Sequence, residues 1–129
     1  MLNQSTISTV EGATRKTILV DELNSTAFSC KVANTGISAD ANGKKIAKAG
    51  TPLTGDLTAR GTAFAKASTT SGVSNAVGIL LHDVDVTDGT KNAQVVVFGF
   101  IDLNKLESDV QELVTAEVKT ALRMIQFVK

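Results

Sequence analysis

The chain has 129 residues, 43% of them hydrophobic, which is enough for one domain with a modest core. Thirteen basic and thirteen acidic residues cancel, and the aromatics are five Phe with no Trp or Tyr. Such a balance argues against binding to nucleic acid or to an anionic membrane surface, and the missing Trp and Tyr argue against a base-stacking or sugar-binding platform.

Residues 1–16 are polar, rich in Ser and Thr, and show no clear period. Such a segment buries too little apolar area to offset its ordering entropy, so a flexible arm is expected in the unbound protein. It is either a frayed end or a tail that orders on a partner by adding a strand to a sheet edge. The first residues have neither the basic start nor the apolar run of a signal peptide, and no stretch approaches the ~20 apolar residues of a membrane span. Synthesis in a cytoplasm is expected. Residues 17–129 are expected to form a single β-rich domain.

Thr17–Asp21 is a short apolar run with strand character. Ala27–Ala33 alternates, which places Phe28, Cys30 and Val32 on one face and Ser29 and Lys31 on the other. Asp40-Ala-Asn-Gly43 signals a hairpin turn of type I′, and the Lys-rich stretch 44–49 reads as a guarded edge strand. The only proline, Pro52, suggests a rigid turn at Gly50–Leu53. Residues 54–61 read as loop with a short extended piece at 56–59, and 63–67 as a further strand. Ser68–Asn75 is almost entirely polar and reads as a mobile surface loop.

Ala76–Leu81 is a continuous apolar run, as in a strand buried on both faces. Gln94–Ile101 is the most hydrophobic strand candidate and an aggregation hazard on an edge, so it is expected to be central or sealed in an oligomer interface. Gly78 and Gly99 interrupt these two strands, where bulges or close backbone approaches are expected. Further on, Leu106, Val110, Leu113, Val114, Val118, Ala121 and Leu122 recur at helical spacing. They predict one amphipathic helix over about 105–122, capped by Asn104 with Glu107 three residues on. Residues 124–129 alternate again, as a final strand would. The residues therefore point to a mainly β fold with one C-terminal amphipathic helix.

Few groups are candidates for chemistry. Cys30 is the only cysteine, can form no intramolecular disulfide, and is expected to serve as a small apolar core residue. His82 is the only histidine, so Cys30 and His82 are the one nucleophilic pair available; a mid-strand, core-facing thiol argues against that use. Asp83, Asp85 and Asp88 before Gly89 have neither the spacing nor the closing glutamate of an EF-hand and read as loop carboxylates around a turn. No phosphate-binding Gly-rich loop and no paired carboxylates stand out. No catalytic residue, metal or cofactor is expected.

Three pieces carry a family likeness: Ala49-Gly-Thr-Pro-Leu53, Ala76-Val-Gly-Ile-Leu80 after a polar loop, and Val95-Val-Val-Phe-Gly-Phe100 leading to a helical segment. In this order they resemble the capsid decoration proteins of tailed bacteriophages, the group typified by the lambda head decoration protein, over about residues 45–129. The resemblance implies a β-clip or β-tulip fold, a small barrel or sandwich with a small helical part. It also implies a homotrimer seated on the three-fold and quasi-three-fold positions of an expanded head, outside the major capsid protein shell. The N-terminal arm would touch the shell, with Thr14, Arg15, Lys16 and Thr17 nearest the fold. The lead-in at 17–48, with its Asn-Gly hairpin, departs from that family. The expected role is that of a structural virion protein on the capsid exterior. The alternative is a display or shell-anchoring module, such as the base of a head fibre or an adhesion domain.

Overall fold

A computed structural model describes residues 17–129. After a short 3-10 turn at Glu22–Asn24 come β1 (Thr26–Val32), β2 (Ile46–Ala47), β3 (Pro52–Thr54), β4 (Ala65–Lys66), β5 (Thr69–Thr70), β6 (Val73–Ser74), β7 (Gly78–Leu80), β8 (Val84–Asp85) and β9 (Lys91–Asp102). A second 3-10 turn (Leu103–Lys105), α1 (Ser108–Gln111), α2 (Ala116–Ala121) and β10 (Ile125–Val128) complete the order. The fold is mainly β, and its sheets do not close into a barrel. The main sheet runs β1-β9-β7-β3-β4, with β10 also paired to β9. Two small sheets, β2–β8 and β5–β6, lie beside it.

Strand β9 is the spine. It pairs antiparallel with β1 and β7 along its first part and parallel with β10 along its last. The most hydrophobic strand is therefore shielded on both edges, as its aggregation hazard requires. Alternation along the spine feeds two cores. Val96 and Ile79 enter one cluster, with Ile101, Val110, Val118 and Leu122. Val95 and Leu80 enter the other, with Val32, Leu53, Phe64 and Val86. Neighbouring residues of a strand point to opposite faces, so the centre of the sheet is buried on both. That matches the expectation for 76–81. Gly78 lies where strands press together: a Cβ on it would fall 2.3 Å from Val95 Cγ2 and 2.7 Å from the Val96 carbonyl oxygen.

Several local expectations are corrected. Pro52 is not in the turn but begins β3, fully buried. The turn precedes it, with Thr51 N–H and Oγ1 both donating to the Lys48 carbonyl at 3.1 and 2.7 Å. The ladder bonds to β7 run from Gly50 N–H to Leu80 O, Leu80 N–H to Thr51 O and Val77 N–H to Leu53 O. None needs a donor on Pro52, which is why proline is tolerated at the start of a strand.

The type I′ turn is not at Asn42-Gly43. There Gly43 N–H bonds the Asp40 carbonyl at 3.0 Å, and Gly43 takes φ +75° without its neighbour. Asp40 Oδ1 accepts from Asn42 N–H and Lys44 N–H and so specifies the turn. The two consecutive positive φ values of a type I′ turn are found at Ser71 (52°) and Gly72 (78°) instead. They join β5 to β6, with Thr70 opposite Val73. Ser68–Asn75 is thus a hairpin, tied at its base by Asn75 Oδ1 accepting from Ser68 N–H at 2.8 Å. The extended piece expected at 56–59 is a turn, with Asp56 Oδ1 accepting from Thr58 N–H and Ala59 N–H donating to Asp56 O.

The single helix expected over 105–122 is two. Leu106, Val110, Val114, Val118 and Leu122 are buried, as the spacing predicts, whereas Leu113 is half-buried and Ala121 exposed. Between the helices Leu113 N–H and Val114 N–H bond three residues back, which tightens the turn. Thr115 then restarts the helix, its Oγ1 accepting from Val118 N–H at 3.3 Å. Asn104 is not the helix cap; Asp102 caps the 3-10 turn that contains it. Phe28 is not a core residue but half exposed, with the Arg60 guanidinium 5.2 Å from its ring centre.

Candidate interaction surface

Of the four residues expected to contact a partner, Thr14, Arg15 and Lys16 lie outside the described residues. Thr17 is half-buried, and its Oγ1 accepts from Leu19 N–H at 3.3 Å. Ile18 and Leu19 are buried and tie the start of the described chain to the end of β9. Asp102 N–H donates to Ile18 O at 2.9 Å, Val20 N–H donates to Phe100 O at 3.0 Å, and Leu19 faces Ile101. The run expected at 17–21 is therefore a short strand-like segment along β9.

This segment and β1 form one interrupted antiparallel partner for the same edge of β9. The interruption, residues 21–25 with their 3-10 turn, loops out opposite Gly99. Gly99 has φ +139°, and a Cβ there would lie 3.1 Å from Ser25 Cβ. Glycine lets the strand bend where the extra residues are accommodated. Asp21 holds the loop, its carboxylate accepting from Leu23 N–H and Asn24 Nδ2.

Beyond Gly99, β9 has the 18–20 segment on one edge and β10 on the other. Leu19, Ile101 and Phe127 are register partners and face the core. Val20, Phe100 and Gln126 therefore share the outer face, joined by Met124 and Val128 two residues to either side of Gln126. That face is apolar and open: Val20 is 54% exposed, Phe98 41%, Phe100 43% and Met124 63%. Large apolar side chains standing together in this way mark interaction sites. The sequence signal was the Phe-Gly-Phe pair in a strand expected to be central or sealed in an oligomer interface; which of its side chains face out follows from the register shift between Val96 and Phe98. Strand β7 is buried within the monomer.

Of the other candidates, Cys30 is buried and Asp83 and Asp85 are held by structural bonds. Cys30 is buried on β1, and burial pushes its thiol pKa up, against a smaller lowering by Arg60. A thiol held protonated is a poor nucleophile. Asp83 Oδ1 accepts from Ala49 N–H at 2.7 Å, and Asp85 Oδ1 accepts from Thr87 N–H and Oγ1. Asp88 sits in a turn closed by Gly89 N–H to Val86 O. Among the described residues no three metal-ligating side chains cluster, and no helix is long and apolar enough to cross a membrane.

A cleft of about 480 Å³ lies between the 37–48 segment and α1. At its edge Lys48 Nζ meets Asp109 Oδ2 at 2.9 Å and Glu107 Oε1 at 3.2 Å. The bond to Asp109 raises the Lys48 pKa, and the same bond lowers that of Asp109. Sequence reading missed this cluster, because nothing local marks a lysine whose carboxylate partner is 61 residues away. It latches the helical part to the sheet. No protein-family model and no curated protein matches the chain.

Proposed function

We propose that this chain is a structural virion protein, a homotrimer that binds the outer surface of an expanded phage capsid and stabilises the head against internal DNA pressure. The family likeness of 45–129 motivates the reading. The observation that carries it is the exposed row of Val20, Phe100 and Met124, placed where residues 1–16 join the fold. An apolar sheet face that includes Val20, close in sequence to a polar N-terminal segment, suits a protein that seats a rigid domain on a shell and ties it with an arm. A clamp that binds only the expanded lattice stabilises that lattice by mass action. It uses no active site, and many copies, each binding modestly, hold the shell together. Its place is the capsid exterior, after synthesis in the host cytoplasm.

Co-sedimentation with emptied heads tests this. Saturable binding to expanded but not unexpanded shells, lost on deletion of residues 1–16, is the expected result. Binding to neither form overturns the decoration reading and favours the display or shell-anchoring module.

A further inference from the structure

We infer that Asn42 is a modification site: its side-chain amide is converted to a carboxylate by attack of the Gly43 backbone nitrogen, at a rate set by opening of the turn that Asp40 holds. The inference is independent of the virion role proposed above.

The first observation is the neighbour. Of seven asparagines in the chain, Asn42 is the one followed by glycine. The reaction closes a five-membered ring between the side-chain carbonyl carbon and the next backbone nitrogen, and a Cβ on the next residue crowds that closure. Gly43 has none, and nothing lies within 4 Å of where one would stand.

The second observation is access. Asn42 and Gly43 are both exposed, and the Asn42 side chain has no hydrogen bond to a described residue. Other asparagines are held. Asn24 Nδ2 donates to Asp21 Oδ2 at 2.7 Å, Asn75 Oδ1 accepts from Ser68 N–H at 2.8 Å, and Asn92 lies in β9 opposite Lys31.

The third observation is the gate. Gly43 N–H donates to Asp40 O at 3.0 Å, so the attacking nitrogen is engaged while the turn is closed. Asp40 also fixes the turn around it. Its Oδ1 accepts from Asn42 N–H at 2.8 Å and Lys44 N–H at 3.0 Å, and its own N–H donates to Lys44 O at 2.8 Å. An exposed turn held by a few bonds opens locally, without global unfolding.

Once the turn opens, the Gly43 nitrogen loses its proton to hydroxide and attacks Asn42 Cγ. A C–N bond forms, the bond from Cγ to the side-chain nitrogen breaks, and ammonia leaves. Water then opens the succinimide at either of its two carbonyls. One opening gives aspartate at position 42; the other gives isoaspartate, with the main chain routed through the side chain. The net change is addition of water and loss of ammonia, with no oxidant or reductant. Each event adds a carboxylate to a chain of net charge zero, so the product separates from its parent by anion exchange.

The full-length protein is incubated at pH 8 in buffer and in urea, and tryptic peptides are followed by mass spectrometry. A mass gain of one dalton, with isoaspartate, is expected in the peptide spanning residues 32–44, fastest in urea and slower in buffer. It should be slower again at pH 6, because the nucleophile is the deprotonated amide. Asp40→Ala, which removes the carboxylate acceptor, should raise the rate in buffer roughly threefold or more. Asp40→Asn, which keeps an acceptor oxygen, should stay within about twofold of wild type. Asn42→Gln should abolish the change in this peptide. Circular dichroism checks that each variant is folded, and an unfolded Asp40→Ala leaves the comparison of buffer with urea to decide. No mass gain at pH 8, or a gain shared equally with Asn75 or Asn104 in buffer, would overturn the site. Equal rates in buffer and in urea would overturn the gate.

Discussion

Lys48 Nζ lies 2.9 Å from Asp109 Oδ2 and joins the turn before β3 to the first turn of α1. Both side chains are partly solvated, so the pair is a modest latch. Asp109→Asn is expected to cost about 0.5 kcal/mol in urea unfolding, and less as salt is raised. The pH dependence has two arms. The Asp109 pKa is lowered from 3.8, so its contribution is present above about pH 4 and is lost as pH falls below that value. The Lys48 pKa is raised from 10.5, so its contribution is full below that value and is lost as pH climbs past it. Equal stability of the wild type and Asp109→Asn at pH 7 would show that the latch contributes nothing.

Gly78→Ala should be among the most damaging single changes. The added methyl meets Val95 Cγ2 at 2.3 Å and the Val96 carbonyl at 2.7 Å, and a backbone atom in a central strand has little room to retreat. A loss of roughly 3 kcal/mol is expected, read as a lower Tm or as insoluble expression. A Tm within a degree or two of wild type would mean that β7 and β9 separate more easily than their packing implies.

Ser71 holds φ +52° in the β5–β6 turn, a region that costs a side-chain-bearing residue about 1 kcal/mol or more. Ser71→Asn places the favoured Asn-Gly pair on this type I′ turn and is expected to stabilise by about 0.5 kcal/mol. Asn42→Ser, at the turn where only Gly43 takes positive φ, lacks this conformational reason to destabilise. Thermal melts of the two variants compare the turns directly.

Cys30 is buried, with its thiol pKa raised by that burial. A thiol reagent at pH 8 is expected to label it at least tenfold faster in urea than in buffer. Cys30→Ser should lower stability by roughly 1–2 kcal/mol, because a hydroxyl enters an apolar cluster. It should leave shell binding unchanged once the protein is folded. Lost function with unaltered stability would instead assign the thiol a chemical role.

Much of this molecule could be read from local pattern. The alternation of 27–33, the unbroken apolar run at 76–81 and the hydrophobic length of 94–101 correspond to β1, β7 and β9. The four-residue spacing from Leu106 to Leu122 matches the buried face of the helical part. These features are legible because burial of apolar area dominates the energetics and leaves its period in the sequence.

What failed were the places where one residue type admits two local solutions. Asn42-Gly43 and Ser71-Gly72 both suit a turn with positive φ. Amides donating to the Asp40 carboxylate at one, and the strand pairing on either side at the other, decided which became type I′. Thr115 is acceptable inside a helix and favoured at its start, and its bond to Val118 N–H split the helix.

The sequence by itself determined a mainly β fold with a helical segment near its end, because periodicity and composition are local properties. Tertiary structure alone decided that Phe100 faces solvent while Ile101 is buried, and that Lys48 meets Asp109. Those outcomes depend on the register shift of β9 against β1 between Val96 and Phe98 and on the pairing beyond it, which distant parts of the chain impose together.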